Sequence, residues 1–281
     1  MSMTGQTHLV TGASSGLGRA SAIALARLGA RVVLLVRDRS RGDEVRGTIL
    51  RQGGSADVLQ ADLSSRASVR RAAAEVLGAH RRLDVLIHNA AIYTPRRTLT
   101  GEGLETMLAT NHLGPFLLTA LLRGALLAAK PSRVIVVTAP STTRIDFDDI
   151  QGERRFGSLS RFGATKMANL MFTYELASRL AGSGVTANAV FPGVFKSGLM
   201  DAAPPLIRWL GGLRAASAEA AAEHIVQAAT DPALADVSGV FFSGRRPART
   251  APDSLAVDLR ERLWDLSEGL TGASIPHWAG D

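Results

Sequence analysis

The 281-residue chain contains no cysteine. That excludes a disulfide framework, a thiolate nucleophile and any cysteine-ligated metal. Lysine is nearly missing as well: Lys130, Lys166 and Lys196 are the only three, so most of the 32 basic residues are arginines. Tyrosine occurs only twice, at Tyr93 and Tyr174. The longest apolar run, Phe116 to Ala129, is too short for a membrane span and carries Arg123, so it reads as a buried helix. Met1 to Gln6 lacks the apolar core of a secretion signal, and a cytoplasmic protein is the expectation. The formal charge of +7 raises the question of nucleic acid. The arginines are scattered, however, with no basic stripe interleaved with aromatics. The charge is read as solvated surface, and neither nucleic acid nor membrane is an expected partner.

With 46% hydrophobic and 20% charged residues the chain can bury a large core, and α/β chains of this length are commonly one domain. Its organising stretch is His8-Leu-Val-Thr-Gly-Ala-Ser-Ser-Gly-Leu-Gly18, an apolar strand running through three glycines into a helix. Gly12 can turn with positive φ, Gly16 lets backbone amides approach a pyrophosphate, and Gly18 lets the helix lie close to the strand. With Ser14, Ser15 and Leu17 they form a loop whose helix N-terminus favours a dinucleotide phosphate. Apolar strands are expected near 7–11, 32–36, 56–60, 84–88, 133–137, 185–190 and 239–242, with helices between them. This alternation predicts an α/β fold, a single doubly wound parallel sheet of about seven strands with helices on both faces. Ligands should then bind at the carboxyl ends of the strands.

Arg37 follows the second strand, where an acidic residue would take the ribose hydroxyls of NAD. A guanidinium there suits a ribose 2′-phosphate, so NADPH/NADP+ is the expected cofactor. Asp62-Leu63 ends the third strand, where a carboxylate can accept a bond from adenine; the alternative is that Asp62 caps a helix beginning near Ser64.

Thr11-Gly12-x-x-x-Gly16-x-Gly18, Asp62-Leu63, His88-Asn89-Ala90-Ala91, Thr110-Asn111-His112-Leu113-Gly114-Pro115-Phe116 and Phe191-Pro192-Gly193 stand in one order. In that order and spacing they resemble the short-chain dehydrogenases/reductases, a Rossmann-fold family. The likeness extends to the retinol-dehydrogenase-like branch through Ile145-Asp-Phe-Asp-Asp-Ile150 and the tail residues Leu263-Trp-Asp-Leu-Ser267. It implies that residues 1–281 form one NADP-binding domain, with Asn89 and Ala90 on the adenosine side. Pro192, Gly193, Val194 and Ser197 would then touch the nicotinamide carboxamide. Asn111 matches the family's active-site asparagine, which shapes a helix bend and a water relay; on physical grounds an asparagine among apolar helix residues ties down backbone. His88, inside an apolar strand end, reads as hydrogen-bonded core.

The catalytic stretch departs from the family, in which a serine binds the carbonyl, a tyrosine gives the proton and a lysine four residues later holds the ribose. Here the serine position holds Ala139, the tyrosine position holds Phe162, and Lys166 remains. Ser141 can substitute only if Pro140 redirects the chain. Tyr174 reads as core, and Tyr93 follows the fourth strand at the mouth of the site. Met200, Leu206, Trp209 and Leu210 are expected in a substrate lid at 198–214. Two readings stay open. One is a dinucleotide-binding sensor or scaffold without activity. The other is a ketoreductase whose substrate carries its own phenolic acid ortho or peri to the carbonyl. The second resembles the tyrosine-lacking ketoreductases of angucyclinone biosynthesis, which implies a polycyclic aromatic ketone reduced to a secondary alcohol. A monomer is expected, because the long interval from Thr138 to Phe162 can cover the helix through which family members assemble.

Overall fold

The computed structural model describes residues 2–195 and 216–280. Runs such as Arg-Val-Val-Leu-Leu-Val build strands buried on both faces, the pattern of a parallel sheet sandwiched by helices. Seven parallel strands run β1 (Thr7–Thr11), β2 (Arg31–Val36), β3 (Ser55–Gln60), β4 (Val85–His88), β5 (Ser132–Val137), β6 (Val185–Phe191) and β7 (Phe241–Ser243). All seven expected strands are present, each within two residues of its predicted ends. An eighth, β8 (Arg246–Pro247), pairs antiparallel with β7 across a turn at Gly244. Two residues ending in proline carry no period-two signal, so the expected count falls one short. The spatial order is β3-β2-β1-β4-β5-β6-β7-β8, and it reverses between β1 and β4. The crevice at that reversal is where open α/β sheets bind ligands.

Strand alternation divides the core between two faces. Val10, Leu34 and Ile87 meet α1 (Gly16–Arg27) and a later helix, Ala218–Thr230, through Leu17, Ile23, Ala222 and Ile225. Leu9, Val33, Leu86 and Val134 meet the other layer through Val69, Leu117, Leu122, Phe172 and Trp264. The first layer also holds α2 (Arg39–Arg51), capped by Asp38, and the second holds α3 (Arg66–Ala79), capped by Ser65. The apolar run lies in α4 (Thr106–Ala129), a helix long and apolar enough to cross a membrane; 67% of its apolar window is buried inside the fold. Its partner in the core is α5 (Ser158–Arg179), which carries the Phe162-x-x-x-Lys166 pair.

The tail closes this second face. Helix Ala218–Thr230 is α6, and α7 (Val257–Thr271) lays Leu263 and Trp264 against α5. The Trp264 ring, 2% exposed, stacks on Phe172 at 5.9 Å, meets Phe116 edge-on at 4.9 Å and lies under the Arg179 guanidinium at 4.3 Å. Trp278 lies beneath Lys130, 4.6 Å from its ring centre, and Arg123, 5.8 Å away. Both tryptophans thus have structural roles that no local pattern announces. Trp264→Ala should cost about 3–5 kcal/mol of unfolding free energy, the range for emptying a large aromatic site. Trp278→Ala should cost about 0.5–2 kcal/mol, the scale of a cation–π contact. Urea denaturation followed by far-UV circular dichroism measures both.

Candidate active site

At the reversal of strand order, Gly12 and Gly16 take φ of +66° and +50°, which only glycine adopts without strain. A Cβ on Gly18 would lie 2.3 Å from the Gly12 carbonyl oxygen and 2.5 Å from Asn89 Nδ2, so glycine is required for the approach of α1 to the loop. Beside Gly16 the space is open. No side chain caps α1, and the amides of Ser15, Gly16, Leu17 and Gly18 meet no acceptor among the described residues. Four converging donors at a helix N-terminus are the partners a pyrophosphate requires, so the residues fit a dinucleotide. Ser14 is half-buried beside them.

Thr11 and Asn89 hold the loop in place. Asn89 Nδ2 donates to the Thr11 carbonyl at 2.9 Å, while Thr11 Oγ1 accepts the amides of Asn89 and Ala90 at 2.9 and 3.0 Å. Arg37 is exposed at the end of β2, its carbonyl held by Gln60 at 3.1 Å. The neighbouring Asp38 is spent on capping: it accepts from the amides of Ser40 and Arg41 and from the Ser40 hydroxyl. These bonds, the Ser40 hydroxyl first, hold its carboxyl below the usual range. Asp38 is thus engaged by its own helix, while the Arg37 side chain beside it is exposed. Asp62 Oδ1 accepts from Ser64 N and Oγ at 2.9 and 2.7 Å, a local turn; the α3 cap is Ser65, not Asp62. The Leu63 carbonyl lies against Gly114, where a Cβ would come within 2.4 Å of it.

The chain beyond β5 does turn towards α5. Ser141 Oγ donates to the Gly163 carbonyl at 2.8 Å and accepts the Thr143 amide at 3.2 Å, so Ser141 lies beside the Phe162 turn with its proton engaged. Thr138 Oγ1 donates to the Lys166 carbonyl at 3.1 Å, and Ala139 between them carries no polar group. The Phe162 ring centre lies 5.3 Å from Lys166 Nζ, and Tyr93 stands edge-on to it at 5.9 Å. Lys166 is 7% exposed, and burial pushes its ammonium down to about 8. The Asn111 amide accepts from Ile92 N at 2.8 Å and donates to Ile92 O and Thr165 Oγ1 at 3.0 and 3.2 Å. It sits in a π-helical turn, Ala109–Leu113, that bends α4. Asn111 thus ties the loop after β4 to the helix bend.

His88 is core, as expected. Thr119 donates to Pro115 O and so accepts from His88 Nε2 at 2.7 Å, and burial lowers the imidazole to about 3. Tyr174 is buried, with its hydroxyl at 2.9 Å from Thr250 Oγ1. Gly193 turns with φ +87° after Pro192, and Val194 is 51% exposed at the crevice end of β6. Ser197 and the lid residues Met200, Leu206, Trp209 and Leu210 lie outside the described residues. Sequence reading missed the brace before α5. There Asp149 accepts the amides of Glu153, Arg154 and Arg155, and buried Arg161 donates to the carbonyls of Asp149 and Ile150. An acidic pair in a loop has no period to mark it.

Sheet order, glycine loop and a buried lysine at the carboxyl ends of the strands define a doubly wound, dinucleotide-dependent oxidoreductase. Residues 6–205 match the short chain dehydrogenase family, and the chain belongs to it. It is 37% identical to mouse retinol dehydrogenase 14, over 96% of this chain and 87% of that protein. It is 36% identical to human retinol dehydrogenase 13, over 97% and 86%. Among solved structures, an uncharacterized protein of Mycobacterium paratuberculosis superposes with a TM-score of 0.80 at 32% identity, covering 98% and 96% of the two chains. A protein of Beutenbergia cavernae, described as an NAD(P)-dependent gluconate 5-dehydrogenase with bound NADP, gives 0.71 at 30% identity, covering 86% and 96%.

The buried lysine sets a pH dependence in the cofactor-free protein. Its ordinary value is 10.5, and burial lowers it to about 8 in the folded chain. Between these values the unfolded chain binds more protons, so stability rises with pH through that window. The full penalty of the buried charge acts below about pH 8. Lys166→Met should therefore stabilise the cofactor-free protein near neutrality and lose most of that advantage near pH 10. Urea midpoints at the two pH values test this.

Proposed function

We propose that this chain is an NADPH-dependent ketoreductase of polycyclic aromatic ketones. It would resemble the tyrosine-lacking ketoreductases of angucyclinone biosynthesis, that of the simocyclinone pathway among them. The observation that carries the reading is Phe162 packed against Lys166 in a site with an open glycine loop; on the family resemblance, that phenyl stands where the proton donor would be. The NADP bound by the Beutenbergia relative supports the cofactor, as does the spending of Asp38 on its helix cap. Bound NADPH supplies a hydride. The amides from Ser15 to Gly18 hold its pyrophosphate, Arg37 its 2′-phosphate and Lys166 the nicotinamide ribose, while Asn89 and Asn111 keep loop and helix in register.

The proton comes from the substrate. A phenol ortho or peri to the carbonyl is already hydrogen-bonded to it, and such intramolecular donors reach effective molarities of about 10⁵–10⁸ M. The phenol proton passes to the carbonyl oxygen as the carbonyl carbon is reduced, and the phenolate left behind is reprotonated from water. Two hydroxyls near Phe162 support this division of labour, since Ser141 and Thr138 have committed their protons to backbone carbonyls. A cytoplasmic monomer goes with the reading: Ile145, Phe147, Leu259 and Leu263 of the same chain cover Met167 and Met171 on α5.

Arg37→Glu should weaken NADPH by roughly 1.5–3 kcal/mol, the scale of a hydrogen bond to a charged group, and spare NADH. Fluorescence titration of both cofactors measures it, and equal losses refute the assignment. Methylating the substrate phenol should lower kcat by about 10²-fold or more, the worth of a general acid. Binding should change little. Steady-state reduction of phenol and ether by wild type and Ser141→Ala decides the matter. A fully active ether overturns substrate assistance, and absence of turnover with every ketone favours the sensor reading.

A further inference from the structure

The Tyr93 hydroxyl donates to Ser158 Oγ at 2.8 Å. Ser158 begins α5 four residues before Phe162, so the two side chains share one helix face about 5–6 Å apart. Tyr93 is 7% exposed, whereas Ser158 and Phe162 are half-buried and reach the surface. The other hydroxyls of these first two turns have committed their protons. Ser160 donates to the Gly157 carbonyl at 2.9 Å and Thr165 to the Phe162 carbonyl at 2.7 Å. Ser158 is different: its oxygen accepts from Tyr93, and its own O–H meets no acceptor among the described residues. Receiving a hydrogen bond polarises that O–H and makes it the better donor. The surroundings are apolar and aromatic, with Ile92, Met107, Phe156 and Phe162 packed about Tyr93.

We propose that Ser158, oriented and polarised by Tyr93, is a specificity-determining hydroxyl that donates to a second oxygen of the aromatic substrate, one helical turn from the reduced carbonyl. The inference rests on the ketoreductase reading above. An apolar wall bearing one uncommitted donor discriminates in a definite direction. It accepts a ring system with an oxygen at that spacing and rejects the same ring system without it, because the donor is then stranded. Tyr93 acts through Ser158 as a positioning residue, and its ring keeps the edge-on contact with Phe162 whether or not it bears a hydroxyl.

The test uses two probes, a peri-hydroxylated tetralone and the same tetralone with a second hydroxyl on the far side of its aromatic ring. KM and kcat are read from NADPH consumption, and Kd by calorimetry on NADP+-loaded protein. Wild type should favour the dihydroxylated probe by about tenfold in KM, one hydrogen bond's worth. Ser158→Ala should abolish that preference with kcat changed by less than about twofold. Tyr93→Phe should reduce it by about threefold, and Ser160→Ala should leave it intact. Equal weakening of both probes by Ser158→Ala, or a preference that survives it, overturns the proposal. If neither probe is reduced, Kd decides. Discrimination that Ser158→Ala abolishes upholds the hydroxyl's role while the reductase reading falls, and absence of discrimination overturns it.

Discussion

The contact on which the rest depends joins the ends of β1 and β4. Strand order reverses between these two neighbours, and the crevice so created would be only a gap if the loops on either side could drift. Thr11 and Asn89 prevent that with one side-chain hydroxyl and one side-chain amide, each satisfying backbone across the junction. The same amide lies where a Cβ on Gly18 would fall, so the position of α1 and the openness of its N-terminus are fixed by one asparagine. Four amides without an acceptor among the described residues then face the crevice from a rigid frame, and rigidity is what gives such donors their value, since they need no reorganisation to meet a charge.

Among the described residues, the other half of the site is poor in acids. Lys166 sits beside a phenyl ring in a buried setting, so its charge is met by the ring's π-face and, among the described residues, by no ionisable neighbour. A quadrupole supports a cation far less than a carboxylate or phosphate does. The ammonium is consequently a strained charge until an anionic or diol partner arrives. On the proposed reading the lysine is a binding group first, and the holding of a cofactor is separated from the handling of a proton, two tasks that a tyrosine–lysine pair performs together.

Most of the frame can be read directly from the chain. Strands buried on both faces are continuous runs of valine, leucine and isoleucine, and glycines with positive φ or a forbidden Cβ stand at motif spacing, so β1 to β7 and the loop at Gly12–Gly18 are visible in one dimension. The catalytic stretch is legible as identities: Ala139, Phe162 and Lys166 can be placed by register alone. What local reading cannot supply is pairing at a distance. Tyr93 and Ser158 are 65 residues apart, and Arg161 grips a loop whose carbonyls have no sequence signature. Asp38 and Asp62 show the intermediate case, in which a carboxylate's position is plain but its partner, a local amide, emerges only from the turn it makes.

Trp264 and Ile275 belong to the same buried cluster as Leu9, Val33 and Leu86, although the two groups stand far apart in the chain and are synthesised at different times. At about 5–20 residues per second, the apolar side of the early strands waits roughly ten to fifty seconds for its last cover to emerge. Folding of this chain is therefore not a march from one terminus to the other. The face that carries the glycine loop waits for α6 and the opposite face for α7, so each keeps an adhesive surface on the ribosome until its late helix emerges. Conditions that slow translation lengthen that exposure directly, because the cover is supplied by residues far along the chain.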